Sequence, residues 1–319
     1  MKLFFTTLLT LAVFAGYAQQ NVYFLKNGGR YVDKLDSADY MRVVKPPDTG
    51  STLYNVSEYY KNGKAKAIGK STKIDPPRYM GQYTSFFENG NRESLYQYTD
   101  KGRVGNGVEF YPNGKLYRLV KYPDSVKTDN HFANNYLIIT NLDSLGTSQV
   151  AEGQGYYRGF NNKFAYIDEE GPVEDGRRNG TWKGIDKNMK LTFTETYKGG
   201  VLISGTAIDS AGLRSAYAGN RMTSPKFDGG TKAFGSYLGR NIIYPDIERK
   251  NEIYGIVILQ FVVEKDGSIT DVRVQKSVSP GLDKEAARVI KRSPLWIPGT
   301  RFGKPVRVTY AVPVNFVLQ

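Results

Sequence analysis

Cysteine is absent from the chain. Disulfides and thiolate metal sites are therefore excluded, and packed cores alone must hold the fold. Histidine occurs once, at His131. A two-histidine zinc site is excluded, and a serine triad or histidine relay would depend on that one residue. His131 lies in the polar, turn-like stretch Asp129-Asn130-His131-Phe132, so it is read as a loop residue. Acidic side chains are the minority, 31 against 44 Lys and Arg, for a net charge of +13. Such a surface suits anionic partners, but the charges are scattered and read as solvated. The pair Asp168 and Glu169 is adjacent in sequence and is expected in a solvated turn. Catalytic, cofactor-binding and metal-binding residues are expected to be none, and an enzyme is not expected.

Long apolar runs are missing too. The only candidate is Leu3 to Ala15, shorter than the ~20 residues a spanning helix needs. Lys2 precedes it, and Gly16-Tyr17-Ala18 follows with small residues at the positions a signal peptidase reads. Residues 1–18 are expected to be a secretory signal peptide. No cysteine follows the run to carry a lipid. Export to a periplasm is the expected localisation, with an uncleaved inner-membrane anchor facing the periplasm as the alternative. Export also removes nucleic acid from the expected partners.

What the sequence does hold, from residue 19 to 222, is tyrosine, glycine and asparagine in a recurring pattern. Tyr59-Tyr60-Lys61-Asn62-Gly63-Lys64, Phe86-Phe87-Glu88-Asn89-Gly90-Asn91 and Phe110-Tyr111-Pro112-Asn113-Gly114-Lys115 are its clearest copies. Tyr23-Phe24-Leu25-Lys26-Asn27-Gly28 is a partial one. Aromatics favour strands, and Asn-Gly is a strong hairpin signal, expected here as a type I′ turn with both residues at positive φ. Each copy predicts one β-hairpin whose rings stack on the next. These units resemble MORN-type repeats, as do Asp175 to Trp182 and, more faintly, Tyr197 to Gly205. The stretch Asp124 to Glu152 departs from the pattern as an insertion, and Leu213 to Pro225 reads as a linker.

From residue 225 to 319 strands and helices alternate. Phe234, Tyr237, Leu238 and Ile242 share a helical face that stops before Tyr244-Pro245. Gly255 to Val263 is a strand apolar on both faces, and Asp266-Gly267 turns the chain. Ile269 to Lys276 alternates, with Val272 and Val274 inward. Leu282, Ala286, Val289 and Ile290 share the face of a second helix, capped by Ser279 or Asp283. A loop holding Trp296, Pro298, Gly299 and Gly303-Lys304-Pro305 leads to a last strand, Val306 to Phe316. Pro313 cannot donate a ladder hydrogen bond, which places that strand at a sheet's edge.

This order resembles the C-terminal domain of the TonB family. The carriers are Tyr244-Pro245, the strand Gly255 to Val263, Asp266-Gly267-Ser268-Ile269, Leu282-Asp283, Trp296-x-Pro298-Gly299 and Gly303-Lys304-Pro305-Val306. The resemblance implies an α+β fold, two helices on a three-stranded antiparallel sheet, behind a mainly-β region of MORN-like hairpins. Family members take a transporter's short peptide as an extra strand. On that resemblance Val306, Arg307, Val308, Thr309, Tyr310, Ala311 and Val312 form the peptide-binding edge, with Tyr244, Pro245, Asp266, Gly267, Trp296, Pro298 and Gly299 specifying the fold. The implied function is a non-enzymatic periplasmic adaptor or scaffold that binds an envelope protein or an outer-membrane transporter peptide by strand addition. Energy-transducing members keep a membrane anchor and a Pro-rich linker, neither of which is read here, so energy transduction stands second. A cell-wall polymer binder stands third. Peptidoglycan and a second copy of the chain stay open as partners.

Overall fold

The computed structural model describes residues 20–123 and 136–318. The expected leader and His131 lie outside the described residues. The chain forms two units: residues up to 157 with 173–177, and residues 158–172 with 178 onward.

The first unit is a run of antiparallel strands paired in chain order. They include Tyr40–Lys45, Tyr54–Tyr60, Ala65–Ser71, Tyr79–Phe86, Arg92–Thr99, Gly102–Phe110 and Leu116–Tyr122. The expected hairpins form, but by a different turn. Gly63, Gly90 and Gly114 have φ of 80°, 99° and 84°, while their asparagines stay out of the left-handed region. The Tyr60 amide reaches the Lys64 carbonyl at 2.9 Å, and the Gly63 amide reaches the Tyr60 carbonyl at 2.9 Å. The ladder slips between Glu58 and Tyr59. This is a three-residue loop ending in a glycine bulge, so only the glycine needs positive φ.

The asparagine has another task. Its Oδ1 accepts the amide two residues on, at 3.0 Å for Asn62, 2.9 Å for Asn89 and 3.0 Å for Asn113. Its Nδ2 then donates to a carbonyl of the following turn: Asn62 to Glu88 at 3.3 Å, Asn89 to Pro112 at 2.7 Å, Asn113 to Ser144 at 3.2 Å. The turns are stitched into a ladder along one side of the sheet. The stretch read as an insertion continues the sheet over its described part, with strands Leu137–Leu142 and Ser148–Ala151. Their turn carries Asp143, whose Oδ1 accepts the Leu145 and Thr147 amides.

One cross-strand row of this sheet runs Arg42, Glu58, Ala67, Ser85, Ser94, Glu109, Arg118 and Asn141. Its charges are paired, as burial requires. Glu58 accepts from Arg42 and Lys66, each at 2.9 Å, and Glu109 from Arg118 at 2.8 Å. Glycines of other rows leave room for rings, Gly69 for Tyr79 and Tyr83 and Gly107 for Tyr96 and Tyr122. Arg103 lies 3.8 Å over the Tyr96 ring and donates to the Tyr98 and Tyr122 hydroxyls, both at 3.0 Å. Burial, the first cause, and the Glu109 carboxylate raise the Tyr96 phenol.

The second unit begins with further hairpin strands: Gly180–Asp186, Leu191–Lys198, Val201–Asp209 and Arg214–Gly219, all antiparallel. The last of these lies where a linker was expected. Its sequence looks small and polar because it presents few side chains to a core; Tyr217 is the exception, laid over Gly205. Phe193 covers Gly184 and Trp182 covers Gly171 in the same way. A side chain at any of these glycines would displace the ring.

The unit ends in the α+β domain. Helix α1 spans Gly230–Asn241, α2 Asp246–Lys250 and α3 Pro280–Lys291. The sheet has Gly255–Val263 in the centre, flanked by Ile269–Lys276 and by Val308–Phe316. Val257, Leu259, Phe261 and Val263 alternate onto the helix side, where they meet Leu282, Ala286, Ile290, Val312, Val314 and Phe316. Burying each of the larger side chains among them contributes roughly 1.5–3 kcal/mol. Two helices were expected. The third, α2, is a single turn, too short to leave a periodic signature. Val274, expected inward, stays 40 % exposed. It pairs with Leu259 on an edge strand, between a slip at Ile258 and Leu259 and a second at Gln260 and Val262.

Candidate functional site

The site expected from sequence is the terminal strand, and two structural features frame it. The first is the contrast between the sheet's two edges. Ile269–Lys276 is irregular: its ladder slips twice, Asp271 sits at φ 52°, and Arg273 and Lys276 are exposed. Bulges and charges of that kind discourage pairing. Val308–Phe316, by contrast, holds one unbroken register with the central strand, from Val263↔Val308 to Gly255↔Phe316. Among the described residues no strand pairs with its outer side.

The second is which amides face outward. Amides along a strand point alternately to its two sides, and proline is tolerated where the missing N–H would face away from the ladder. Pro313 therefore marks the outward set: Thr309, Ala311, Pro313 and Asn315. Their side chains are exposed on the face away from the helices, while Val312, Val314 and Phe316 are buried.

Of the residues singled out from sequence, Val308 to Val312 lie in this strand and Val306 and Arg307 precede it. The Val306 amide is used within the domain, reaching the Gly299 carbonyl at 2.8 Å. Arg307 donates to Glu264 at 2.8 Å and to Asp271 at 2.7 Å, bridging all three strands. Those two carboxylates raise its guanidinium, and hydrogen bonds from Thr270 and Arg307 lower Glu264.

The fold residues gather around Trp296. Its ring meets Phe234 and Phe261 at 5.4 Å and Phe227 and Tyr310 at 5.7 Å. Its amide reaches the Gly267 carbonyl at 2.9 Å, and a side chain at Gly267 would strike the Trp296 carbonyl. The Asp266-Gly267 turn and Trp296 thus fit as a pair. Gly299 packs between Val308 and the Thr223 carbonyl. Tyr244 closes the other end: its hydroxyl donates to the Ile253 carbonyl at 2.6 Å, and its ring meets Phe316 edge-on at 5.8 Å. Pro245 is the N-cap residue of α2. Pro298 is half-buried in the loop between Trp296 and Gly299.

Sequence reasoning missed what lies before the terminal strand. Thr300–Arg301 and Lys304–Pro305 form a small hairpin, and Met222–Thr223 joins it as a third strand. Phe302 and Gly303 at its tip both have positive φ, 51° and 74°, a conformation costly for a bulky side chain. Phe302 is nevertheless buried, stacked on Phe193 at 5.2 Å and edge-on to Tyr217 at 5.6 Å. Arg301 pairs with Asp186 and Lys304 with Asp209, carboxylates at the turns of the preceding hairpins. The hydrogen bond from the Lys304 ammonium, above all, lowers the Asp209 carboxyl.

Beneath this contact lies a buried ion network. Glu195, with no exposed side-chain surface, accepts from Arg221 Nε at 2.7 Å, Tyr217 at 2.8 Å and Tyr197 at 3.0 Å. Arg221 also donates to Glu169 at 3.0 Å, and Arg178 donates to Glu169 at 2.9 Å. Glu169, expected in a solvated turn, is instead a largely buried carboxylate held between two arginines. Burial alone would raise its carboxyl, but Arg178 and Arg221 hold it down at about 2. No local sequence signal separates such a glutamate from a solvated one, because its partners lie 9 and 52 residues away.

Residues 240–318 match the family model described as Gram-negative bacterial TonB protein C-terminal. The matched span runs from the end of α1 through the terminal strand. No curated protein and no solved structure matches the chain.

Proposed function

We propose that this protein is a non-enzymatic, TonB-like adaptor of the bacterial envelope that takes an extended partner segment as a fourth strand along the first half of its terminal strand, Val308 to Val312. The observation that carries this reading is the unbroken, outward-open edge at the terminal strand, set against a bulged and charged edge on the opposite side. An added strand gains its affinity from main-chain hydrogen bonds. Thr309 and Ala311 offer theirs, and Pro313 ends the usable stretch. The partner is an envelope protein or the exposed segment of an outer-membrane transporter. In the same reading, residues 1–18 are a leader removed on export. Residues 19–222 are a MORN-like spacer, supported by the stitched Asn-Gly hairpins, and 225–319 are the binding domain. Among the described residues no helix is long and apolar enough to cross a membrane.

The test is Ala311→Pro. The substitution removes one outward N–H and none of those turned toward the central strand, so thermal stability should change little. Photo-crosslinking from position 309 should capture an envelope partner in the parent chain, and at least tenfold less in the variant. Capture that persists undiminished, with the fold intact, rules out strand addition at this edge.

A further inference from the structure

The terminal strand's edge leaves one surface of the domain unused, the end where Tyr244 ties α2 to the sheet. Four large apolar side chains project there. Ile247, Ile243 and Tyr254 are 71 %, 69 % and 68 % exposed, and Val317 is 58 % exposed. Each is the immediate neighbour of a residue in one knot. Tyr244 donates to the Ile253 carbonyl, the Ile253 amide reaches the Glu248 carbonyl at 2.9 Å, and the Tyr244 ring lies on Phe316. The inward residues fix this end of the domain, and each outward one adjoins one of them in the chain. Elsewhere in the described chain exposed apolar side chains stand singly, as Leu145 does, or two residues apart, as Val201 with Ile203 and Leu295 with Ile297, which is ordinary for a protein surface.

The setting of these four indicates what they meet. Arg240, Lys250 and Lys276 are exposed around them, and Arg249 is paired with Asp246. Glu252 is the other exposed carboxylate of this end. The rim is therefore net basic. Four projecting side chains fall far short of the about 20–30 residues a side of a stable protein interface. A small apolar surface with basic flanks is instead the pattern of reversible seating on an anionic bilayer, where apolar burial and electrostatic attraction add. The surface also lies at the start of the central strand, the opposite end from Val263 and the hairpin Thr300–Pro305.

We propose that Ile243, Ile247, Tyr254 and Val317 form a peripheral membrane-contact tip that seats the domain on a phospholipid surface carrying anionic headgroups. The tip is separate from the strand-accepting edge, and Ala311→Pro should leave it untouched. The experiment is co-sedimentation of the exported chain, without the apolar leader of residues 1–18, with phosphatidylethanolamine–phosphatidylglycerol vesicles, against phosphatidylcholine vesicles. The parent chain should bind the anionic vesicles, and Ile247→Ser combined with Tyr254→Ser should lower the bound fraction at least fivefold. Both positions are exposed, so the fold should tolerate the change, and circular dichroism checks it. A Tyr254→Trp reporter gives a site-specific reading, because Trp182 and Trp296 are buried. Its emission should shift to the blue and be quenched by brominated lipid. Equal binding by the parent and the double variant overturns the proposal, as does a reporter that brominated lipid leaves unquenched. Self-association of the parent that the double variant abolishes, without vesicle binding, assigns the tip to a second copy and likewise overturns it.

Discussion

Asparagine recurs at the hairpin tips because it is a short side chain that accepts and donates at once. Asn89 accepts the Asn91 amide and donates to the Pro112 carbonyl. Aspartate has no donor when ionised. It would keep the bond inside the turn, lose the one between turns, and set a carboxylate beside a carbonyl. Asn89→Asp should therefore destabilise the first unit by about 1–2 kcal/mol. Urea unfolding measures this, and a variant as stable as the parent would show that the stitch between turns contributes nothing. Asn-Gly was legible in the sequence as a turn. Its second role was not, because that depends on which carbonyl the next turn presents.

The elements divide by how much of their logic is local. Helix α3 was legible from its apolar face, and of the two caps expected, Ser279 and Asp283, Ser279 holds the place, accepting the Leu282 amide at 3.3 Å. The rest of its N-terminus was not legible. Buried Glu248, on α2, accepts from the Ser279 hydroxyl at 3.0 Å and the Gly281 amide at 2.9 Å. A carboxylate there also complements the helix dipole. Glu248→Ala should cost about 1–3 kcal/mol by leaving that amide unmet. Thermal unfolding is the readout, and an unchanged midpoint would show that water replaces the carboxylate without loss. The terminal strand's place at the edge followed from Pro313 alone. The bulges of Ile269–Lys276 did not, since its sequence alternates regularly and slips only against its neighbour. The hairpin at Phe302 was equally hidden, because Gly303 suits positive φ but nothing in a phenylalanine signals that Phe302 takes it too.

On the scale of the whole molecule, the boundary between repeat region and domain is where sequence texture and structure part. Composition shifts near residue 222, yet Arg221 runs into the Glu195 and Glu169 network, and Phe302 returns to the Phe193 and Tyr217 rings. Long-range pairs of this kind leave no periodic trace. They do leave a pH signature. The Glu169 carboxyl is held down at about 2, below the ordinary value of 4.5. A depressed carboxyl contributes stability that is complete above the unfolded value and is lost as pH falls through the folded one. Between pH 4.5 and about 2, the parent's urea midpoint should fall more steeply than that of Glu169→Gln. Parallel curves would remove Glu169 from the acid response.

The uninterrupted register between Gly255–Val263 and Val308–Phe316 has a mechanical consequence. A segment lying along the outer side of that strand and tugged along its own axis would load the ladder in shear, so every rung shares the force. Tugged crosswise, it would peel rung by rung at far lower force. Single-molecule pulling of a captured segment in the two directions would measure the ratio, and equal rupture forces would show that load does not travel along this ladder.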